Sequence, residues 1–312
     1  MSIWKKIQSF FKEKPDRADI PGPQVEQIIE GDPDAFLSLD AGFNMRRPDR
    51  GPESTYQMTS SVGFSPRHTI ARSLDVGLAQ ASAGKFDDAI SSYDRAIQLD
   101  GENALAYYNR GWAYGKKNDF DKAIADYTKA LQLDPNVAIA YMNRGWAYGK
   151  KNDFDKAIAD YDAAIRLDGK LVKAFVNRGW AYSQKGEHEK ALANFNQASR
   201  LDPDYAPAHT KRGWACIAAG DYARARASFE EALAIDANDA QAHAGKGWAL
   251  YEKGQAKGAL VGLNEAIRID PTNSDLYRKR AKVHLALRNQ DEAEEDERRA
   301  NEFAAGAKGG DA

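Results

Sequence analysis

Tryptophan recurs at one constant interval through the middle of the chain. An indole ring offers a large apolar area at little conformational cost, so a row of exposed tryptophans favours partner binding over catalysis. The alternative is that each indole packs flat between neighbouring helices, and both interpretations hold if one face of the ring stays exposed. The five residues are Trp112, Trp146, Trp180, Trp214 and Trp248.

Amide and cationic side chains accompany the tryptophans. The predicted partner-binding residues beside the indoles are Asn109, Asn143, Asn177, Tyr108, Lys173 and Lys211. An amide both donates and accepts, so a row of three asparagines can hold the backbone of an extended peptide without reading its side chains. Lys173 and Lys211, with Lys116, Lys150 and Lys282 near the same face, make this surface more basic than the whole chain. The sequence therefore predicts a partner segment that is modestly acidic, aromatic or aliphatic.

Catalytic signals are weak throughout. His209 and His243 share a position at which other units carry Tyr107 or Tyr141, so we interpret them as aromatic packing and not as metal ligands. No nucleophile, base and orienting group can be assembled from the residue pattern. We therefore predict no enzyme activity, no cofactor and no metal site.

These side chains lie in an internal sequence repeat that has the same period as the tryptophans. The stretch Asn109–Tyr127 returns residue for residue as Asn143–Tyr161, and the period extends both ways without insertion or deletion. Small residues recur at fixed positions, as at Gly111, Ala123 and Ala130, which indicates two helices that cross closely. The seven units begin at Ile70, Ala104, Ala138, Val172, Ala206, Ala240 and Ser274.

The pattern resembles the tetratricopeptide repeat (TPR) family, in a bacterial-type form. The residues on its signature positions are Tyr107, Gly111, Tyr114, Ala123, Tyr127, Ala130 and Pro135. The resemblance implies an all-α, right-handed superhelical solenoid over residues 70–307, with a capping last unit. It also implies that the first helices line a concave groove, the usual ligand surface, where an asparagine ladder is known in some members. The carboxylate clamp of chaperone-binding members is not matched, because Tyr108 and Trp112 stand where it needs Lys and Asn.

Turn and cap signals agree with two helices in each unit. Asp119, Asp153 and Asp221 are predicted N-caps of the second helix. Arg110 and its equivalents are predicted to form structural pairs with the Asp that closes each second helix, such as Asp134. Residues that tolerate a left-handed turn stand between the helices at Gly84, Asn118, Asn152, Gly186, Gly220 and Gly254.

The N-terminal part of the chain, before the first repeat, differs in composition from the repeats. Residues 1–14 form a short basic amphipathic helix by their spacing, with an apolar stripe of Trp4, Ile7, Phe10 and Phe11. This arm could contact an anionic membrane surface, dock into a partner or fold back on the repeats. Residues 15–69 hold seven of the eleven prolines and are predicted to be a largely disordered linker, and residues 308–312 a disordered tail.

Composition limits the class of function. The formal net charge of −2 gives no global field toward nucleic acid, and the single Cys216 excludes an internal disulfide framework. The absence of a long apolar run or signal peptide predicts a cytoplasmic protein, with peripheral contact to the inner face of a membrane through residues 1–14 as an option. We predict a non-enzymatic adaptor that binds a peptide segment of another protein. The alternative is a homo-oligomeric or enzyme-associated regulatory scaffold.

Overall fold

The computed structural model describes residues 66–309, and over this range the chain forms fourteen helices. They pair into seven helical hairpins, which confirms the predicted all-α solenoid of TPR-like repeats. The helices are α1 (Pro66–Ser82), α2 (Phe86–Leu99), α3 (Ala104–Lys116), α4 (Phe120–Leu133), α5 (Ala138–Lys150), α6 (Phe154–Leu167), α7 (Val172–Gln184), α8 (His188–Leu201), α9 (Ala206–Ala218), α10 (Tyr222–Ile235), α11 (Ala240–Glu252), α12 (Ala256–Ile269), α13 (Ser274–Ala286) and α14 (Gln290–Gly309).

The turn inside each hairpin requires one residue with a positive φ angle. Asn118 and Asn152 adopt φ of 60° and 61°, and glycine takes the equivalent position in four other repeats, as predicted. In the last repeat Arg288 occupies this position with φ of 62°. A residue with a Cβ atom is strained at a positive φ angle. Arg288 adopts this conformation because the rest of the hairpin fixes the turn.

Aspartate side chains mark the ends of the second helices. Asp119 and Asp153 accept hydrogen bonds from the backbone N–H groups of Lys122 and Lys156, which confirms them as N-caps, as does the same contact of Asp221. After the second helix, Asp134 accepts a hydrogen bond of 3.0 Å from the backbone N–H of Asn136. The closing aspartates therefore stabilise the loop that leads into the next repeat.

The two helices of a hairpin approach closely at small residues. A Cβ atom added to Gly145 would lie 3.0 Å from the backbone oxygen of Ala157 and 2.9 Å from the ring of Tyr161. Ala157 and Ala164 are fully buried at the same crossing. The close crossing that the recurring small residues predict is therefore confirmed at this hairpin.

The solenoid curves toward its first helices. Within residues 66–309 the backbone of each first helix comes close to that of the first helix of the next repeat, whereas the backbones of successive second helices stay further apart. The shorter distance between first helices places them on the inner, concave side. We call this side the inner face; helical periodicity assigns to it the second, fifth, sixth, ninth, twelfth and thirteenth positions of each repeat.

The ends of the described chain extend slightly beyond the predicted repeats. Helix α1 begins at Pro66, because proline needs no hydrogen bond to its nitrogen in the first turn of a helix. Helix α14 continues through Gly309, past the predicted start of the tail at residue 308, and the ring of Phe303 packs 5.5 Å from that of Tyr277. The predicted N-terminal arm, with Trp4, Ile7, Phe10 and Phe11, lies outside the described residues, as does the linker up to residue 65. Among the described helices none is long and apolar enough to cross a bilayer.

Candidate partner-binding surface

The first three tryptophans of the row pack against an aromatic ring of the preceding repeat, whereas Trp214 and Trp248 meet a ring of their own repeat. The rings of Trp146 and Trp180 meet those of Phe120 and Phe154 edge to face, with centroids 5.5 and 5.6 Å apart. The indole of Trp180 also covers Gly149, where an added Cβ would lie 3.0 Å from its ring. These tryptophans therefore join neighbouring repeats, which is the packing alternative expected from the sequence.

The exposure of the indoles changes along the row. Trp112 is buried at 8% exposure, whereas the other four tryptophans are half-buried. From Trp146 to Trp248 each ring packs on part of its surface and keeps another part in solvent, which is the exposure that partner binding would require. Partner binding by these indoles stays a prediction.

Two further predicted binding residues near the N-terminal end are also buried. Tyr108 is 1% exposed and Asn109 is 3% exposed, so neither side chain lines an accessible surface in this structure. The phenol of Tyr108 accepts a hydrogen bond of 2.8 Å from Nδ2 of Asn143. This bond joins α3 to α5, so the amide row contributes to packing between repeats as well as to the inner face. Asn143, Asn177 and the predicted cation Lys173 are half-buried.

Lysine ammonium groups lie over several indole rings. Lys150 Nζ is 5.6 Å from the ring centroid of Trp146, at a spacing of four positions along α5. Lys279 Nζ lies 5.4 Å from the ring of Trp214, although two repeats separate their positions in the sequence. Lys116 and Lys282 make the same contact with Trp112 and Trp248, at 4.9 and 5.8 Å. Cations and aromatic rings therefore form one mixed surface, held by cation–π attraction.

Lys211, another predicted binding residue, is half-buried and has a lowered pKa. Burial lowers the pKa of Lys211, the nearby Asp239 opposes this change, and the ammonium of Lys150 adds to it. Asp239 is the carboxylate whose charge opposes the shift, and each of its oxygens also accepts a hydrogen bond. One accepts a hydrogen bond of 3.0 Å from the backbone N–H of Ala242, and the other accepts one of 2.5 Å from the hydroxyl of Thr210. Within residues 66–309, Lys211 forms no ion pair with a carboxylate.

The arginine row forms structural pairs, but with partners that differ from the prediction. Arg110 donates two hydrogen bonds to Asp126, at 2.8 and 2.7 Å, and a third of 2.5 Å to Asp94 in the preceding repeat. The predicted partner, the Asp that closes the second helix, was wrong because that carboxylate binds its own loop, as Asp134 does. The Asp126 hydrogen bond raises the pKa of Arg110, and burial raises the pKa of Asp126 against the effect of the arginine.

The histidines and the cysteine are packing residues. His209 is 6% exposed, and its two ring nitrogens lie 2.9 Å from a carboxylate oxygen of Glu231 and 2.9 Å from the backbone oxygen of Pro203. Cys216 is buried, and burial raises the pKa of its thiol. The described residues contain no cluster of His, Cys, Asp and Glu side chains with the geometry of a metal site.

Comparison with protein families agrees with the repeat geometry. Family models described as tetratricopeptide repeat match residues 104–137, 138–171 and 182–249. A model described as TPR repeat matches residues 77–118 and 247–287. The chain belongs to the tetratricopeptide repeat family. A comparison with curated protein sequences gives no match.

Solved TPR structures share the fold. A tetratricopeptide repeat protein from Parabacteroides merdae is 18% identical with a TM-score of 0.66, covering 76% of this chain and 93% of that one. PilW, a type IV pilus biogenesis factor, is 21% identical with a TM-score of 0.61, covering 66% of this chain and 96% of that one. MamA is 26% identical with a TM-score of 0.50, covering 56% of this chain and 96% of that one. At these identities the first two similarities show the fold alone.

Sequence reasoning missed the links between repeats on the inner face. The contact of Lys150 with Trp146 could have been predicted from the sequence, since a lysine one helical turn after a tryptophan lies on the same side of a helix. No sequence pattern predicts the contact of Lys279 with Trp214 or the hydrogen bond from Asn143 to Tyr108, because both depend on the curvature of the stack.

Proposed function

We propose that this TPR protein is a non-enzymatic scaffold whose inner face binds an extended segment of a partner protein. The observation that carries the proposal is the row of half-buried indoles from Trp146 to Trp248, one in each of four consecutive repeats. Partly exposed aromatic rings spaced along a groove suit a peptide that runs across several repeats, because each ring can bury one apolar side chain.

The amides support an extended conformation of the bound segment. Asn143 and Asn177 stand beside this row in adjacent repeats and keep part of their surface accessible. The Nδ2 of Asn143 donates to Tyr108, and its Oδ1 is the atom that would accept a hydrogen bond from the N–H of a peptide. Membership of a family built for protein contacts agrees with this function in general terms.

Selection from a phage-displayed library of random peptides tests the proposal. The selected pool is expected to bind the full chain. Its affinity should fall at least about tenfold with Asn143→Glu plus Asn177→Glu, because the two amide hydrogen bonds are lost and the new carboxylates repel a peptide that is predicted to be modestly acidic. The matched control carries Ala159→Glu plus Ala193→Glu, which add the same charge at exposed positions on second helices.

Helical circular dichroism first establishes that both variants fold. Peptides that bind the inner-face variant as tightly as they bind the wild type would place the binding surface elsewhere. Localisation at a membrane, self-association and the role of residues 1–14 stay predictions, because the arm lies outside the described residues.

A further inference from the structure

A pocket opens between the fifth and sixth repeats, where the start of α10 meets the end of α11. Its volume is about 470 Å³, part of which is open to solvent. Two of its lining side chains are cationic and, among the described residues, none that lines it is acidic. We call it the turn pocket, because it lies beside the turn that joins α11 to α12. The side chains that line it include Tyr222, Ala223, Arg226, Leu250 and Lys253.

The lysine of the turn pocket lacks the partner that its equivalents have. In three earlier repeats a lysine at the position of Lys253 pairs with an aspartate of the preceding repeat, thirty positions before it. The position opposite Lys253 is Ala223, which cannot supply a carboxylate. Within residues 66–309 Lys253 therefore forms no ion pair. The three pairs are Lys117 with Asp87, Lys151 with Asp121, and Lys185 with Asp155.

The ring of Tyr222 also meets different neighbours from its equivalents. Phe120 and Phe154, at the same position in earlier repeats, each meet the indole of the following repeat, with centroids 5.5 and 5.6 Å apart. The indole of Trp248 packs instead on Tyr251 of its own helix, with centroids 4.9 Å apart. An indole edge and a carboxylate fill the earlier interfaces, and the turn pocket is the space left where both are replaced.

The carboxylates near the turn pocket are already engaged. Asp221 accepts a hydrogen bond of 2.9 Å from the backbone N–H of Arg224 and another of 2.5 Å from its Nε. Glu230 lies 3.6 Å from Nε of Arg226 and 3.3 Å from Nζ of Lys246, so one carboxylate serves two cations. The turn pocket therefore keeps positive charge that no carboxylate of the described residues matches.

We propose that the turn pocket binds an acidic side chain, Asp or Glu, of a partner protein. The carboxylate takes the place beside Lys253 that Asp121 takes beside Lys151, and the methylene groups rest against Tyr222 and Leu250. The three equivalent interfaces identify this chemistry, because in each of them a lysine at the same position is paired with an aspartate. The site goes beyond the proposed function, since none of its residues belongs to the inner face.

Nuclear magnetic resonance of the full, isotope-labelled chain tests the proposal. The probe is acetyl-aspartate methylamide, which presents one Asp side chain without terminal charges. At low ionic strength we expect saturable shifts of the backbone amide signals around the turn pocket, with a Kd on the order of millimolar. The neutral analogue, acetyl-asparagine methylamide, is expected to bind at least about fivefold more weakly, because the ion pair is lost.

Two variants remove the site in opposite ways. Lys253→Gln plus Arg226→Gln removes its cations. Ala223→Asp leaves both cations in place and supplies the missing carboxylate from within the chain, as Asp121 does at its own interface. Each variant is expected to weaken binding of the probe at least about fivefold, since hydrogen bonds to charged groups are the stronger class. Helical circular dichroism first establishes that both variants fold.

Two matched controls make the same chemical changes elsewhere. Lys151→Gln plus Lys185→Gln removes lysines at the equivalent turns, where aspartates already occupy them. Ala193→Asp adds one negative charge at an exposed position of α8. Both controls are expected to stay within about twofold of the wild type, because exposed charges far from a site contribute little.

Several outcomes would contradict the proposal. Shifts that do not saturate, or that spread over exposed lysines along the whole chain, would show only general attraction of an anion. Binding that survives Ala223→Asp or the loss of both cations would remove the turn pocket as the site. Succinate binding more than about tenfold tighter than the probe would assign it to a small dicarboxylate instead. None of these results decides the inner-face function, which Asn143→Glu plus Asn177→Glu tests separately.

Discussion

Lys211 is an example of a single side chain that sits unfavourably in the folded chain. Burial and the charge of Lys150 lower its pKa below the ordinary value of 10.5, and Asp239 only partly offsets them. Because the pKa is lower in the folded than in the unfolded chain, protonated Lys211 destabilises the fold at neutral pH. Its contribution to stability therefore improves as the pH rises from the folded pKa toward the unfolded one.

Replacement by an apolar side chain of similar length tests this effect. Lys211→Met is expected to raise the free energy of unfolding at neutral pH, and the gain should shrink at alkaline pH, where wild-type Lys211 is neutral. Denaturant unfolding at both pH values measures it, with the exposed Lys185→Met as the control. A destabilised Lys211→Met variant would show that the ammonium has a stabilising partner.

At the scale of elements, buried charge pairs connect the two helices of a repeat. Arg144 donates hydrogen bonds of 2.8 and 2.7 Å to Asp160, and the side chain of Asp160 is only 8% exposed. A carboxylate at this depth depends on its arginine, because water cannot replace the lost partner.

Removing one member of the pair should be much worse than removing both. Arg144→Met is expected to cost about 3–5 kcal/mol of unfolding free energy, because it leaves Asp160 charged and buried. Arg144→Met combined with Asp160→Leu is expected to recover most of that loss. Urea unfolding of the single and double variants checks the difference, and equal losses in both would mean that the pair itself stabilises the fold.

The elements could be predicted from sequence because each signal is local or periodic. The constant repeat interval is visible without any structure, and the capping aspartates and the turn residues at Asn118 and Asn152 depend on neighbours a few positions away. The burial of Tyr108 and Asn109 could not be predicted, because it depends on how closely adjacent first helices approach. The predicted partner of Arg110 was wrong for a related reason. Helical periodicity gives the direction in which a side chain leaves its helix, but not which residue of the facing helix it reaches.

At the scale of the whole molecule, contacts between helix backbones stay within a repeat or between adjacent repeats over residues 66–309. Stability of such a stack is approximately a sum of repeats and their interfaces. The C-terminal repeat ends it with helix α14, where Asp296 is buried against Arg280 while Glu295 and Arg298 form an exposed ion pair.

Deletion of residues 172–205 should therefore leave a folded, shorter solenoid. The deletion brings α9 against α6, so Trp214 can take the place of Trp180 against Phe154, and Arg212 that of Arg178 against Asp162. Helical circular dichroism should fall only in proportion to the residues removed. The control deletion of residues 188–204 removes one helix of a hairpin and should unfold adjacent repeats, and equal behaviour of the two would refute the modular stack.

The spacing of the tryptophans also makes their fluorescence a probe of individual repeats. Five consecutive repeats each hold one tryptophan, and their environments differ: Trp112 is buried, Trp146 meets a phenylalanine edge, and Trp214 lies beneath a lysine from two repeats further along. Emission wavelength and quenching respond to such differences. Variants that keep one of the chain's six tryptophans at a time would therefore report on one repeat each, so that fraying of one end can be distinguished from a break in the middle without any added label.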